Sequence, residues 1–275
     1  MQIGIFETVF PRATLAESLD AVVAHDMRCL QFGLGSVGIS HDAGNISEER
    51  CVIATQLLRA RGMTMSAVNG TFNMCHPDPK HRERVLESLR AIAAHCRFLG
   101  NPVIALCSGT RDPENMWRAH PENGSAAAWN DLLPMMKKAA AIGEEHGVVM
   151  AFEPEVSNVI DSPKRARRML DEVGSNALKV VMDGANIFHA GELPKMRNIL
   201  SEAFELLGKD IVLAHAKDLD HDGEAGHRAA GEGLLDYSFY MAELKRVNFT
   251  GAIILHGLTE AQVPRCLEFV KSKMA

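Results

Sequence analysis

Eight short β-rich runs alternate with longer helical patterns from one end of the chain to the other. That alternation is the signature of repeated βα units around a parallel sheet. The runs are Gln2–Phe6, Arg28–Phe32, Thr64–Val68, Pro102–Cys107, Val148–Phe152, Lys179–Met182, Ile211–Ala214 and Ala252–Leu255. Between them, apolar residues recur at helical spacing over Leu15–His25, Glu48–Arg61, Pro79–Leu99, Ala126–His146, Pro163–Val173, Leu193–Leu207, Asp236–Val247 and Glu260–Lys273. Gly62, Gly100, Gly147, Gly174 and Gly251 fall between a helix and the next run, and Ser162-Pro163 supplies a helix cap followed by proline. At 275 residues with 47% apolar content, the chain can bury one large core. The expectation is α/β: one domain over 1–275, an eight-stranded (β/α)8 TIM barrel.

In such a barrel, function sits at the carboxyl-terminal ends of the strands. Three side chains stand where an apolar run gives way to a polar turn: Glu153 in VVMAFEPE, Asp183 in LKVVMDGAN and His215 in IVLAHAKD. They are about thirty residues apart, the length of a βαβ unit. A divalent ion wants carboxylate oxygens and an imidazole nitrogen converging on a site with open positions, and adjacent parallel strands provide them. Taken singly, each carboxylate also fits a helix cap or a salt bridge.

Four motifs, Glu153-Pro154-Glu155, Asp183-Gly184-Ala185-Asn186, His215-Ala216-Lys217-Asp218 and Gly231-Glu232-Gly233-Leu234-Leu235-Asp236, resemble those of the xylose-isomerase-like β/α barrels. That family includes tagatose and psicose 3-epimerases, inosose isomerases and hydroxypyruvate isomerases. The resemblance spans the chain and implies that Glu153, Asp183 and His215 bind a divalent ion: manganese, magnesium, cobalt or zinc. Strand eight departs from the pattern, because His256 stands where the family places a fourth, glutamate ligand. Three roles stay open for it: metal ligand, general acid or base, or a satisfied core residue. In the 3-epimerases the glutamates of strands five and eight share proton transfer, so the change argues against a symmetrical two-carboxylate mechanism. Asn186 occupies the position of an epimerase substrate histidine, which also argues against a ketohexose 3-epimerase.

Other polar residues fall in the same mouth. Asn69, Asn73 and His76 follow the third strand and suit sugar hydroxyls, although Asn and Asp also build turns on their own backbone. Trp117 follows the fourth strand as a lid over a sugar face or an anchor of its loop. Arg111 suits an anionic group, or a pair with Asp112 or Glu114. By strand alternation Lys217 shares the face of His215, ready to polarise a carbonyl or to pair with Glu155 or Asp218. His221 and His227 read as solvated loop histidines. Gly33, Gly35 and Gly38 match a dinucleotide-binding spacing, but ISHDAGN opens no helix after them. Asn45-Ile46-Ser47 is a glycosylation sequon by spacing alone.

A formal charge of −6 without a basic stripe excludes a nucleic-acid groove, and with it the abasic-site endonuclease that shares this barrel. No apolar run reaches the roughly twenty residues of a bilayer span. The amino terminus lacks a signal pattern, and six cysteines form no C-x-x-C pair, which fits a reducing, cytoplasmic setting. The expected activity is a metal-dependent isomerase or epimerase of a small sugar or keto-polyol, through an enediolate, with Glu153 or Glu155 as base and His256 or Lys217 returning the proton. Two alternatives remain: a lyase or dehydratase on a keto sugar, and a noncatalytic sugar-binding barrel. A homo-oligomer is expected from the resemblance.

Overall fold

The computed structural model describes residues 1–37, 46–100 and 102–274; Gly38 and Asn45 lie outside the described residues. Eight parallel strands close into a barrel: β1 Gln2–Phe6, β2 Cys29–Phe32, β3 Thr64–Asn69, β4 Val103–Cys107, β5 Met150–Glu153, β6 Leu178–Asp183, β7 Ile211–Asp218 and, after a short insertion, β9 Ala252–Leu255. Each pairs with its sequence neighbour, and β9 pairs with β1, Gln2 opposite Ala252, to complete the ring. The insertion, β8 Arg228–Ala229, runs antiparallel to β7 with Lys217 opposite Ala229, a hairpin that the sequence reading missed.

Among the described residues, eight α-helices surround the barrel: α1 Leu15–Ala24, α2 Glu48–Ala60, α3 Pro79–His95, α4 Ala126–His146, α5 Pro163–Val173, α6 Met196–Leu207, α7 Tyr237–Arg246 and α8 Val263–Met274. Local chemistry sets their ends. Thr14 and Glu17 form a reciprocal capping box at α1, and Gly147 and Gly174 end α4 and α5 in the left-handed conformation that glycine adopts without penalty. Ser162 precedes α5 as expected, but its hydroxyl donates to Asp161 at 2.9 Å instead of capping the helix.

The strands bury both faces. Outward residues such as Ile5, Leu30, Val68, Ile104, Phe152, Val180 and Ile253 pack under the helices. Inward residues Phe6, Cys29, Ala67, Ala105, Ala151, Val181, Leu213, Ala252 and Ile254 fill the barrel. This inner layer is small, and at Gly4 a Cβ would come within 2.6 Å of Ile254 and 2.9 Å of the Cys29 carbonyl, so only glycine fits. Because side chains alternate along a strand, the next inward position toward the mouth lies two residues beyond Cys29, Ala67, Ala105, Ala151, Val181, Leu213 and Ile254. Those positions are Gln31, Asn69, Cys107, Glu153, Asp183, His215 and His256.

Candidate active site

Asp183, His215 and His256 each turn one ligand atom toward a common point, all within 4.8 Å of one another. Glu153 joins them, its Oε2 3.2 Å from His215 Nδ1, while Asp183 Oδ2 lies 3.9 Å from that same nitrogen. Asp183 and His215 are buried, and His256 reaches the edge of a cavity of about 550 Å³ that Phe6, Thr8, Asn69 and Gly257 also line. That volume falls within the usual range of small-ligand sites.

A residue absent from the sequence reading fixes the histidine. Gln31, buried in β2, accepts at Oε1 from His215 Nε2 at 2.9 Å and donates through Nε2 to Asn69 Oδ1 at 2.6 Å. With Nε2 donating to Gln31, Nδ1 is the His215 nitrogen that faces two carboxylates, holding a proton there when no ion is bound and offering a lone pair when one is. That nitrogen, Asp183 Oδ2 and His256 Nδ1 are buried without a hydrogen-bond partner. Orphaned buried acceptors are costly, and several aimed at one point are what a cation relieves. The donor set of two imidazoles and two carboxylates suits a borderline divalent ion. A polar residue inside the otherwise apolar CLQF run is the available signal for Gln31.

The surrounding groups share out charge. Asn186 is fully buried; its amide nitrogen donates to Glu153 Oε1 and its oxygen accepts from the Gly226 amide at 2.8 Å. It therefore orients Glu153, with both amide ends engaged, where the sequence suggested a sugar contact. Lys217 pairs neither with Glu155 nor with Asp218; its Nζ lies 3.6 Å from Asp183 Oδ2. Burial works against its charge, but Asp183, Glu153 and Glu155 together raise its pKa. Burial opposes ionisation of Glu153 as well; without an ion, a proton on His215 Nδ1 facing Glu153 Oε2, together with the Lys217 charge, outweighs it and lowers the carboxyl to about 2. Burial, reinforced by the Glu153 charge, pushes Glu155 up to about 7, with Asn158 donating to its Oε1 at 3.0 Å. Desolvation, then Lys217 and His215, drive His256 well below the ordinary histidine value, so its ring is neutral. Its ring packs at a tilt of 37° against Phe6, with ring centroids 4.7 Å apart.

Asp218 instead accepts the amides of Leu219, Gly231 and Leu235, tying down the glycine motif after β7. At Gly233 a Cβ would lie 2.4 Å from Asp218 Oδ1, which explains the second glycine.

The loops after β3 and β4 turn their polar residues on one another. His76 Nε2 meets the Pro113 carbonyl at 3.2 Å, Nδ1 accepts from the Asp78 amide, and the ring stacks on His81. Asn73 accepts from Cys75 and Thr110 amides and donates to the Asp112 carbonyl. Arg111 pairs with Asp131 at 2.6 Å, not with Asp112 or Glu114, which face Arg118. Trp117 is 55% exposed on the loop surface. His76, Arg111 and Trp117 are absent from the lining of the cavity beside His256. His221 and His227 are more than solvated loop residues, for they converge on Asp220.

A family model described as a xylose isomerase-like TIM barrel matches residues 19–272. The structure superposes on that of a 3-keto-D-glucoside 4-epimerase from E. coli with a TM-score of 0.77 at 16% identity, covering 99% of both chains. A D-psicose 3-epimerase from Clostridium cellulolyticum H10, solved with D-tagatose, gives 0.75 at 14%, covering 100% of this chain and 99% of its own. An L-ribulose 3-epimerase gives 0.76 at 15%, covering 99% and 94%. No curated protein sequence matches the chain. With a closed barrel, the motif residues gathered at one end of it, and a family model spanning nearly the whole length, the chain belongs to the xylose isomerase-like TIM barrel family.

Proposed function

We propose that this barrel is a divalent-metal-dependent isomerase or epimerase of a small sugar or keto-polyol. One observation carries the reading: His215 Nδ1, turned by the Gln31 contact to Nε2, is buried opposite the Glu153 and Asp183 carboxylates with His256 beside it. Glu153, Asp183, His215 and His256 are the residues that would hold the ion. A bound divalent ion supplies Lewis-acid polarisation of a carbonyl and its neighbouring hydroxyl, which lowers the barrier to enolisation by several kcal/mol.

The chain's own groups divide the proton work. Glu153, as a ligand, has its oxygens engaged, whereas Glu155, whose pKa burial raises in the metal-free chain, is the carboxylate placed to accept a proton from the carbon beside the carbonyl and return it. Lys217 keeps its ammonium and stabilises negative charge developing on the substrate oxygen. His256, neutral, offers a nitrogen that Glu in the same place would replace with a charge. One formal negative charge is thereby removed from the mouth. The solved relatives named as epimerases of keto sugars and ketoses support this substrate class. Six free, buried cysteines suit a reducing, cytoplasmic setting, and no helix of the described residues is long and apolar enough to cross a membrane.

Proton NMR in heavy water tests the reading, with metal-stripped protein, added manganese, magnesium or zinc, and a panel of ketoses, aldoses and 3-keto sugars. Metal-dependent deuterium uptake beside a carbonyl, lost in Glu155→Gln with metal still bound, is expected. Loss of a substituent from the neighbouring carbon would identify a lyase, and bound metal without exchange on any sugar would leave a binding protein.

A further inference from the structure

The loop joining β7 to β8 holds a second group of an aspartate and two histidines, outside the barrel. Its two ends are fixed by the β7–β8 pairing of Asp218 with Arg228. Its tip is fixed by the Gly223 amide on the Phe188 carbonyl at 3.0 Å and by Asp222 accepting the Leu193 amide at 2.8 Å. On this frame His221 Nδ1 and His227 Nε2 both lie 2.6 Å from the same oxygen, Asp220 Oδ1. The three atoms are within 4.8 Å of one another, and the rings are 4.3 Å apart.

The remaining ring nitrogens decide what the group requires. His221 Nε2 lies 2.9 Å from Glu224 Oε1, and His227 Nδ1 lies 3.3 Å from the Ala225 carbonyl and 3.5 Å from Glu224 Oε1. All four imidazole nitrogens therefore face acceptors, while a neutral imidazole has only one proton to give. The arrangement calls for two imidazolium charges, or for one divalent ion in place of two protons. Arg228 engages the other oxygen, Nε to Asp220 Oδ2 at 2.7 Å, and leaves Oδ1 to the rings.

We propose that Asp220, His221 and His227, with Glu224 at hand as a further carboxylate, form a second metal site selective for imidazole-binding divalent ions such as zinc, nickel or cobalt. Two nitrogen donors disfavour magnesium and calcium, which take oxygen. An ion about 2.0–2.2 Å from each ligand needs the two 2.6 Å contacts to open by less than an ångström, a small side-chain adjustment at an exposed site. Binding displaces any proton held on the ligating ring nitrogens, so it strengthens with rising pH. The loop rises from the strand that carries His215 and Lys217, so the ion would clamp a hairpin at the rim of the mouth.

Zinc titration of metal-stripped full-length protein, against a chromophoric chelator and in buffers of differing ionisation enthalpy, tests the site. Wild type is expected to bind two zinc ions per chain, the loop ion with proton release. The double variant His221→Ala/His227→Ala should bind one and keep its circular dichroism. Loss of a single loop histidine should weaken the second ion roughly 10- to 100-fold or more. Arg228→Met, which removes the competing cation, should tighten it. Two ions still bound by the double variant, or a single ion in wild type that Asp183→Asn abolishes, would overturn the proposal. A single ion lost only in the double variant would uphold the loop site and remove metal from the barrel mouth, so the two readings fail separately.

Discussion

Asp183, His215 and His256 form one group of an aspartate with two histidines, Asp220, His221 and His227 another, and burial sends them different ways. In the barrel, three nitrogen and oxygen atoms of the first group have no hydrogen-bond partner. In the loop, every ligand atom of the second already has one. Two charges 4 Å apart interact by about 1 kcal/mol in water but about 4 kcal/mol at an effective dielectric near 20. In the barrel, desolvation comes first and neighbouring charges second in raising Glu155 and lowering His256, whereas in the loop local hydrogen bonds dominate, raising His221 and lowering Asp220. The first is organised for an ion by its scaffold; the second holds protons that an ion must displace.

The comparison breaks most sharply on loss of the buried aspartate. Asp183→Asn should cut metal affinity at the mouth by more than about a hundredfold and abolish sugar-dependent deuterium exchange. In wild type, metal at a hundred times its Kd should raise unfolding free energy by about 2.7 kcal/mol. Thermal denaturation with and without magnesium, which the loop site disfavours, isolates the mouth. An equal shift in Asp183→Asn would show that the stabilising ion binds elsewhere.

Smaller effects should follow from the residues that aim the ligands. Gln31→Leu removes the acceptor that holds the His215 tautomer and should weaken mouth metal roughly 10- to 100-fold, with Gln31→Glu retaining most of the affinity. Asn186→Leu leaves a buried Glu153 oxygen without its donor, costing about 1–3 kcal/mol in chemical denaturation. Neither change should alter zinc uptake at the loop, and if either does, the two groups are not independent.

How much of this was legible beforehand follows from periodicity. Strand and helix positions emerged because apolar spacing and glycine ends are local signals; β1, β9, α4 and α5 fall where the pattern put them. Glu153, Asp183 and His215 stood out as polar residues at the ends of apolar runs. Gln31 obeys the same two-residue alternation from Cys29 but is flanked by Leu30 and Phe32 inside an apolar run, with no polar turn beside it to mark a strand end. The pairings of Arg111 with Asp131 and Lys217 with Asp183 join residues 20 and 34 positions apart in the chain, so only the closed barrel reveals them. The loop histidines looked solvated because convergence on one oxygen depends on the β7–β8 hairpin, whose two-residue strand β8 is too short to leave a pattern.

The gentlest distinction between the two groups is pH. In metal-free protein, hydrogen bonding to Asp220 raises His221 above its ordinary 6.5, while His227, His221 and Arg228 lower Asp220 below 3.8. A raised histidine contributes stability that is complete below 6.5 and disappears as pH climbs through its folded value; a lowered aspartate contributes above 3.8 and is lost as pH falls through its own. The loop pairing should therefore be strongest in the mildly acidic interval between them. Its contribution to global stability should be small, since the residues are largely in water and screened. Histidine ring NMR of the metal-stripped chain should place His221 above 6.5, and Asp220→Asn should bring it down toward that value. His256, neutral behind its desolvated wall, should show no titration across the same interval. A His221 that titrates at or below 6.5 would mean the loop carries no imidazolium, and the contrast between the two groups would then rest on burial alone.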